Sequence, residues 1–303
     1  MTEGIEDLTP FFEDRCWMFV HLARQAHVGV IVRRGPTEWW RVTLWDTACD
    51  SFKGGQWFRG QFYPDKCDIS PDGKLFVYFA GKFGHRTDEK GYRDTWTAVS
   101  RPPYLTALAL WPMGGTWGGH GVFLDNHTVR LSTSSPSYGA PHHPDHPPGP
   151  LRVLGFGALK QGDPWYEAGP SWRNGWQGIL APTQPDRYSP RYAAWRKTSG
   201  GLTLEREAKR SAPFGGTQYE EYLPRPSRRR SLYTLYRPDG KAAALFEAHW
   251  ADWDQQGRLV ATVGGRVVAG RLTRHNKLQW HQLASLQNER PVSMETPTWA
   301  QHW

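Results

Sequence analysis

Asp68, Asp252 and Asp254 are the residues whose pattern best suits acid–base chemistry. They sit in two copies of one octapeptide, DISPDGKL (68–75) and DWDQQGRL (252–259), 184 residues apart. Two carboxylates facing one pocket can act as acid and base, or hold a Ca²⁺ ion. The same residues also have a structural use, because Asp and Ser at a turn accept backbone N–H bonds and fix a hairpin. A catalytic side chain has no reason to recur in repeated units, so the repetition itself favours structure.

His142, His143 and His146 form an H-x2-H spacing around Asp145. Neutral imidazoles and a carboxylate are suitable Zn²⁺ ligands, but a Pro-rich loop preorganises ligands poorly. Cys16, Cys49 and Cys67 show no CxxC spacing. Cys16 and Cys67 open strand-like runs and read as small buried apolar residues rather than nucleophiles. Trp165, Tyr166, Trp172 and Trp176 lie with Arg173 and Asn174 in a loop rich in Gly and Pro. There they are suited to anchor a partner or to stack on sugars or bases. Arg228, Arg229 and Arg230 make the one basic cluster, PRPSRRRS (224–231), which suits phosphate or an acidic protein surface.

The elements that must position these groups are strands. Trp (17 copies), Gly (32) and Pro (24) are heavily used in the 303 residues, a composition of short strands and turns rather than of a helical bundle. No apolar run reaches the ~18 residues of a membrane-spanning helix. The N-terminus MTEGIEDLTPFFEDR lacks a basic segment followed by an apolar one, so no secretory signal is expected. With three cysteines and no disulfide framework, the expected location is cytoplasmic. The net charge of +8 is spread rather than clustered and suits an anionic partner.

Strand-like runs recur along the chain: CWMFVHLA (16–23), HVGVIVRR (27–34), EWWRVTLW (38–45), GQWFRGQF (55–62), TWTAVS (95–100), YLTALALW (104–111) and HGVFLDNHTVRLS (120–132). After a Pro/His/Ser loop (133–150) come LRVLGFGAL (151–159), a loop-rich stretch (160–190), YAAWRKT (192–198) and GLTLEREAK (201–209). SLYTLYR and KAAALFEAHW flank the turn Pro238-Asp239-Gly240, and RLVATV and RVVAGRL flank Gly264-Gly265. KLQWHQLA (277–284) closes the set. The expected organisation is an N-terminal segment (1–14), one β domain (15–284) and a tail (285–303) whose Trp299 and Trp303 pack back.

An offset of 184 residues fits four repeats of roughly 46, the length of a propeller blade. The expected fold is therefore all-β, a single β-propeller of six, or seven, blades with long loops. The strand groups are 15–45, 55–100, 104–132, 151–198, 201–248 and 249–284. A β-sandwich or jelly roll is the alternative. SPDGKLFVYFA resembles the inner hairpins of WD-repeat and Tol-type propellers, and Trp45-Asp46 and Trp253-Asp254 resemble the WD dipeptide. WTAVSRPPYLTALALWPMGGTWGGHGVFLD (96–125) is similar to uncharacterised bacterial proteins. The resemblance implies a binding platform. The expected function is a non-catalytic protein-interaction module in a bacterial multi-protein system, without a cofactor and with another protein as partner. Its partner face would comprise Trp165, Tyr166, Trp172, Arg173, Trp176 and Arg228–Arg230. The alternatives are a propeller hydrolase or lyase using channel carboxylates, and a module binding glycan or nucleic acid.

Overall fold

The computed structural model describes residues 5–12, 16–84, 91–116, 118–132, 141–157, 174–180, 192–207, 230–275 and 277–303. Among them the chain is all-β, with five sheets each built from strands consecutive in sequence. The first sheet runs β1 (Trp17–Leu22), β2 (Val28–Arg34), β3 (Trp39–Asp46) and β4 (Ser51–Arg59). The second holds the short β5 (Gln61–Phe62) and β6 (Asp68–Ile69), both paired to β7 (Phe76–Gly81), then β8 (Thr95–Ser100) and β9 (Ala109–Pro112). The third has β10 (His120–Phe123), β11 (Thr128–Ser132) and β12 (Arg152–Gly157). The fourth has β13 (Gln177–Leu180), β14 (Tyr192–Ser199), β15 (Leu202–Glu207), β16 (Ser231–Tyr236) and β17 (Ala242–Ala248). The fifth has β18 (Trp250–Trp253), β19 (Leu259–Val263), β20 (Arg266–Leu272) and β21 (Leu278–Ser285). The β11–β12 pair is parallel, and the other strand pairs described are antiparallel.

Six, or seven, blades were expected from six strand groups, and five sheets are seen among the described residues. The difference lies in the fourth sheet. Lys197 on β14 pairs with Leu204 on β15, so residues assigned to two groups belong to one sheet. The octapeptide copies are consequently three sheets apart, not four. GLTLEREAK, read as a strand although it could pass for a short helix, is strand from Leu202 to Glu207. Every residue of FVYFAG and of LVATV is buried, which marks strands covered on both faces and explains their unbroken apolar runs.

By its contacts the chain forms two compact units: Met1–Phe19 with Ser171–Glu289, and Val20–Pro170 with Arg290–Trp303. In the second unit, Tyr63, Val77, Phe79, Trp111, Phe123 and Leu131 belong to one buried cluster that joins the second and third sheets. The tail straps onto this unit. Gln56 Nε2 donates to Met294 O (3.1 Å) and Thr296 Oγ1 (2.7 Å), Trp299 meets Tyr104 edge-on, and Trp303 Nε1 donates to Pro147 O (3.2 Å). In the first unit, Phe246 stacks on Tyr233 and meets Trp280 edge-on. Ile5 bridges to Trp280 through its backbone, tying the N-terminal segment to β21.

Candidate functional site

The repeated carboxylates are fasteners. Asp68 is buried on β6 and accepts the backbone N–H of Phe123 on β10 through Oδ2 (2.9 Å), which joins the second sheet to the third. Asp252, at the equivalent place on β18, joins the fifth sheet to the fourth. Its Oδ1 takes Lys197 Nζ (2.6 Å) and its Oδ2 takes Trp176 Nε1 (3.0 Å). The third octapeptide position closes the turn in both copies. Ser70 Oγ donates to Asp72 Oδ1 and accepts Leu75 N–H, while Asp254 Oδ1 accepts the N–H groups of Gln256 and Arg258. Asp254 Oδ2 also takes Arg258 Nε at 2.7 Å. These bonds give each octapeptide carboxylate a structural role.

The histidine loop is fastened rather than open. His143 is buried and stacks on Tyr92 (centroids 4.2 Å apart), and the Tyr92 hydroxyl meets His146 Nε2 at 3.3 Å. Leu110 N–H donates to His146 O, and His143 N–H donates to Leu110 O, so the loop lies against β9. Burial, with His143 alongside, lowers the pKa of His146. His142 is exposed. Among the described residues no group of three or more His, Cys, Asp or Glu is placed to hold a metal ion. None of the three cysteines forms a disulfide; Cys16 and Cys67 are buried as expected and Cys49 is exposed. Burial raises the Cys67 thiol well above its ordinary pKa, the reverse of what a reactive thiolate needs.

Of the expected partner face, Trp165, Tyr166, Trp172, Arg173, Arg228 and Arg229 lie outside the described residues. Trp176 is buried, bonded to Asp252 and covered by the Arg206 guanidinium 5.4 Å from its ring, so it is a core residue rather than an exposed anchor. Arg230 lies over Phe12 at 4.0 Å and pairs with Glu247 at 3.7 Å. It holds the N-terminal segment to the first unit and is partly buried there.

A buried polar cluster in the second unit escaped the sequence reading. Lys66, in the 3-10 turn Pro64–Lys66, donates through Nζ to Thr116 O (2.7 Å) and Gly118 O (2.8 Å), and it lies over the rings of Tyr63 and Phe79. Thr95 Oγ1 and Thr97 Oγ1 donate to Gly115 O and Gly119 O, so four carbonyls of the β9–β10 connection are held by side chains. Burial pushes Lys66 down to about 8, against the opposing pull of Asp65. Burial, reinforced by the Lys66 charge, pushes His120 down to about 3.

The candidate site is the outer face of the fourth sheet. The register sets Gln177, Arg196, Glu205, Thr234 and Leu245 in one row across five strands. The row behind, Trp195, Arg206, Tyr233 and Phe246, faces the core. The outer row stays open to solvent: Leu245 is 66% exposed and the Arg196 side chain 50% exposed. Leu180, on the edge strand β13, is 60% exposed. Beside the row, the β14–β15 and β16–β17 turns flank a half-open cavity of about 400 Å³ lined by Arg196, Gly201, Thr203, Tyr236, Arg237, Pro238 and Gly240. Arg196 bonds Glu205 and lies over the Tyr236 ring at 5.5 Å, and the Tyr236 hydroxyl donates to Glu205 Oε1 at 3.3 Å. Arg237 Nε is shielded from solvent and has no hydrogen-bond partner, with Asp239 Oδ1 in ion-pair range at 3.5 Å. The alternation in YAAWRKT, GLTLERE and SLYTLYR is the signal that could have found this face. It sets Arg196 apart from Trp195, and Glu205 apart from Leu204.

No family model matches this chain, and no curated protein matches it. Among solved structures it is similar to the uncharacterised protein lmo1340 from Listeria monocytogenes EGD-e. The identity is 8%, with 98% of this chain and 90% of that chain covered and a TM-score of 0.31. It is also similar to the GH43 BlXynB protein from Bacillus licheniformis, at 10% identity and a TM-score of 0.33. That match covers 95% of this chain but only 60% of the other. Likenesses this distant do not decide the chemistry.

Proposed function

We propose that this chain is a non-catalytic protein-interaction module, a cytoplasmic scaffold of propeller-type sheets that binds another protein through the outer face of β13–β17. The observation carrying this reading is the contrast between the two faces of that sheet. One buries Trp195, Leu204, Tyr233 and Leu235, while the other leaves Leu245 and Arg196 exposed in the row that also holds Glu205 and Thr234. A sheet face that sets an exposed apolar side chain in one row with a hydroxyl, a carboxylate and a guanidinium has the composition of a protein-binding surface. The engagement of Asp68, Asp252 and Asp254 in hydrogen bonds that build the fold favours this reading over hydrolysis or elimination by carboxylates.

The test is capture from nuclease-treated lysate of the native host, with the wild-type chain and the double variant Leu245→Ser, Arg196→Glu as baits. The expected result is a stoichiometric protein held by the wild type and lost from the variant, both baits melting alike. A partner that binds both baits equally contradicts the face. A wild-type bait that holds no protein contradicts the module.

A further inference from the structure

Resting on the interaction reading above, we propose that the cavity between the β14–β15 and β16–β17 turns is a carboxylate pocket for an acidic side chain of the protein partner. The lining supplies donors. Arg196 on β14 and Arg237, just past the end of β16, both line it, as does Thr203. A guanidinium carries five N–H groups and a carboxylate pairs with two of them, so Glu205 and Asp239 leave donors on both arginines. Arg237 Nε in particular is a shielded N–H without a hydrogen bond. A cation is excluded by the two guanidiniums.

Size and shape narrow the occupant. A cavity of about 400 Å³ takes one or two side chains, not a folded surface. Gly201 and Gly240 stand at the turn tips with φ of +78° and +77°, and a side chain at Gly240 would meet no atom within 4 Å. The entrance is therefore open. Pro238 and the Tyr236 ring give an apolar wall against which the methylene stem of a Glu packs. A nucleic-acid groove tracks a strand with many cations. Here Arg196 and Arg237 stand beside Glu205 and Asp239, which suits one isolated carboxylate better than a phosphate chain. The positive charge of the whole chain adds a long-range pull on acidic partners.

The experiment is fluorescence anisotropy of a labelled hexaglutamate peptide titrated with the full chain, beside hexathymidylate of similar charge. Arg237→Met and Arg196→Met are compared with Arg271→Met, which alters an exposed arginine on β20 away from the cavity. Hexaglutamate is expected to bind more tightly than hexathymidylate. Each cavity variant should weaken it about tenfold and Arg271→Met should leave it unchanged. Arg237→Lys keeps the charge and loses the fork. It should weaken binding several-fold, which serves as the readout if Arg237→Met melts early. The pocket is overturned by no hexaglutamate binding, by equal binding to the cavity variants, or by tighter binding of hexathymidylate. If the lysate partner binds Arg237→Met and Arg237→Lys as well as the wild type, the pocket falls while the module stands. If the wild type captures no partner, the module itself falls.

Discussion

Asp252 shows what the residues of this chain are for. Its side chain is buried, it answers a lysine and a tryptophan from another sheet, and it accepts the N–H of Trp253 as well. Removing one partner of such a pair leaves a buried charge without compensation, at a cost of ~3–5 kcal/mol. Asp252→Ala should therefore lower the urea unfolding free energy by about that much, and Asp252→Asn by less because it still accepts the Trp176 bond. A loss under ~1 kcal/mol for Asp252→Ala would show that the pair is not a fastener. His21, which is buried, and His120, which is half-buried, make a second residue-scale prediction. Burial drives His21 and His120 down to about 3. Unfolded, each titrates near 6.5. Between these values the unfolded chain binds more protons, so stability must fall as pH drops from about 6.5 toward about 3. His21→Phe, which keeps the ring contact with Phe76, should make urea midpoints fall less steeply between pH 7 and pH 4. An unchanged slope would contradict the assignment.

At the scale of elements, close approach of backbones sets the limits. Gly119 has φ of +90°, and a Cβ there would lie 2.1 Å from the Phe79 ring. Gly55 has no room either, since a Cβ would lie 2.0 Å from Pro103 O. Gly119→Ala combines strained backbone with overpacking and should cost ~2–4 kcal/mol, read as a drop in Tm. Lys66→Met should leave Thr116 O and Gly118 O without their donor, at ~1–3 kcal/mol for each carbonyl. Faster hydrogen exchange between Met113 and His120 would report it, and unchanged exchange there would refute the clamp.

The elements also mark how far the sequence could be read. Long runs such as HVGVIVRR and RLVATV declared themselves by β-branched residues, and Gly264-Gly265 declared its hairpin because both positions need φ > 0 and have it, at 50° and 78°. The two-residue strands β5 and β6 had no period to show. The fourth sheet was cut in two because a 46-residue repeat length was imposed on a chain with irregular loops. Trp176 was misread because its loop composition implied exposure, whereas its partner Asp252 lies 76 residues away in sequence. The cavity was hidden for the same reason. Arg196 and Arg237 come together only through the register of β14, β15 and β16, which pairs Thr203 with both Thr198 and Tyr236.

At the scale of the whole molecule, repeated aspartates fasten sheets to their neighbours, and one sheet face is the one proposed for a partner. Among the described residues no helix is long and apolar enough to cross a membrane. In the proposed scheme the side chains that meet a partner play no part in holding the sheets together, so surface variants such as Leu245→Ser should alter binding without altering Tm. Hydrogen exchange of the chain alone and in complex with the protein captured from host lysate tests the central claim most directly. The account predicts protection on binding confined to β13–β17 and the two turns flanking the cavity, at residues 192–207 and 231–248. Protection centred instead on β18–β21, or none in the fourth sheet, would contradict it.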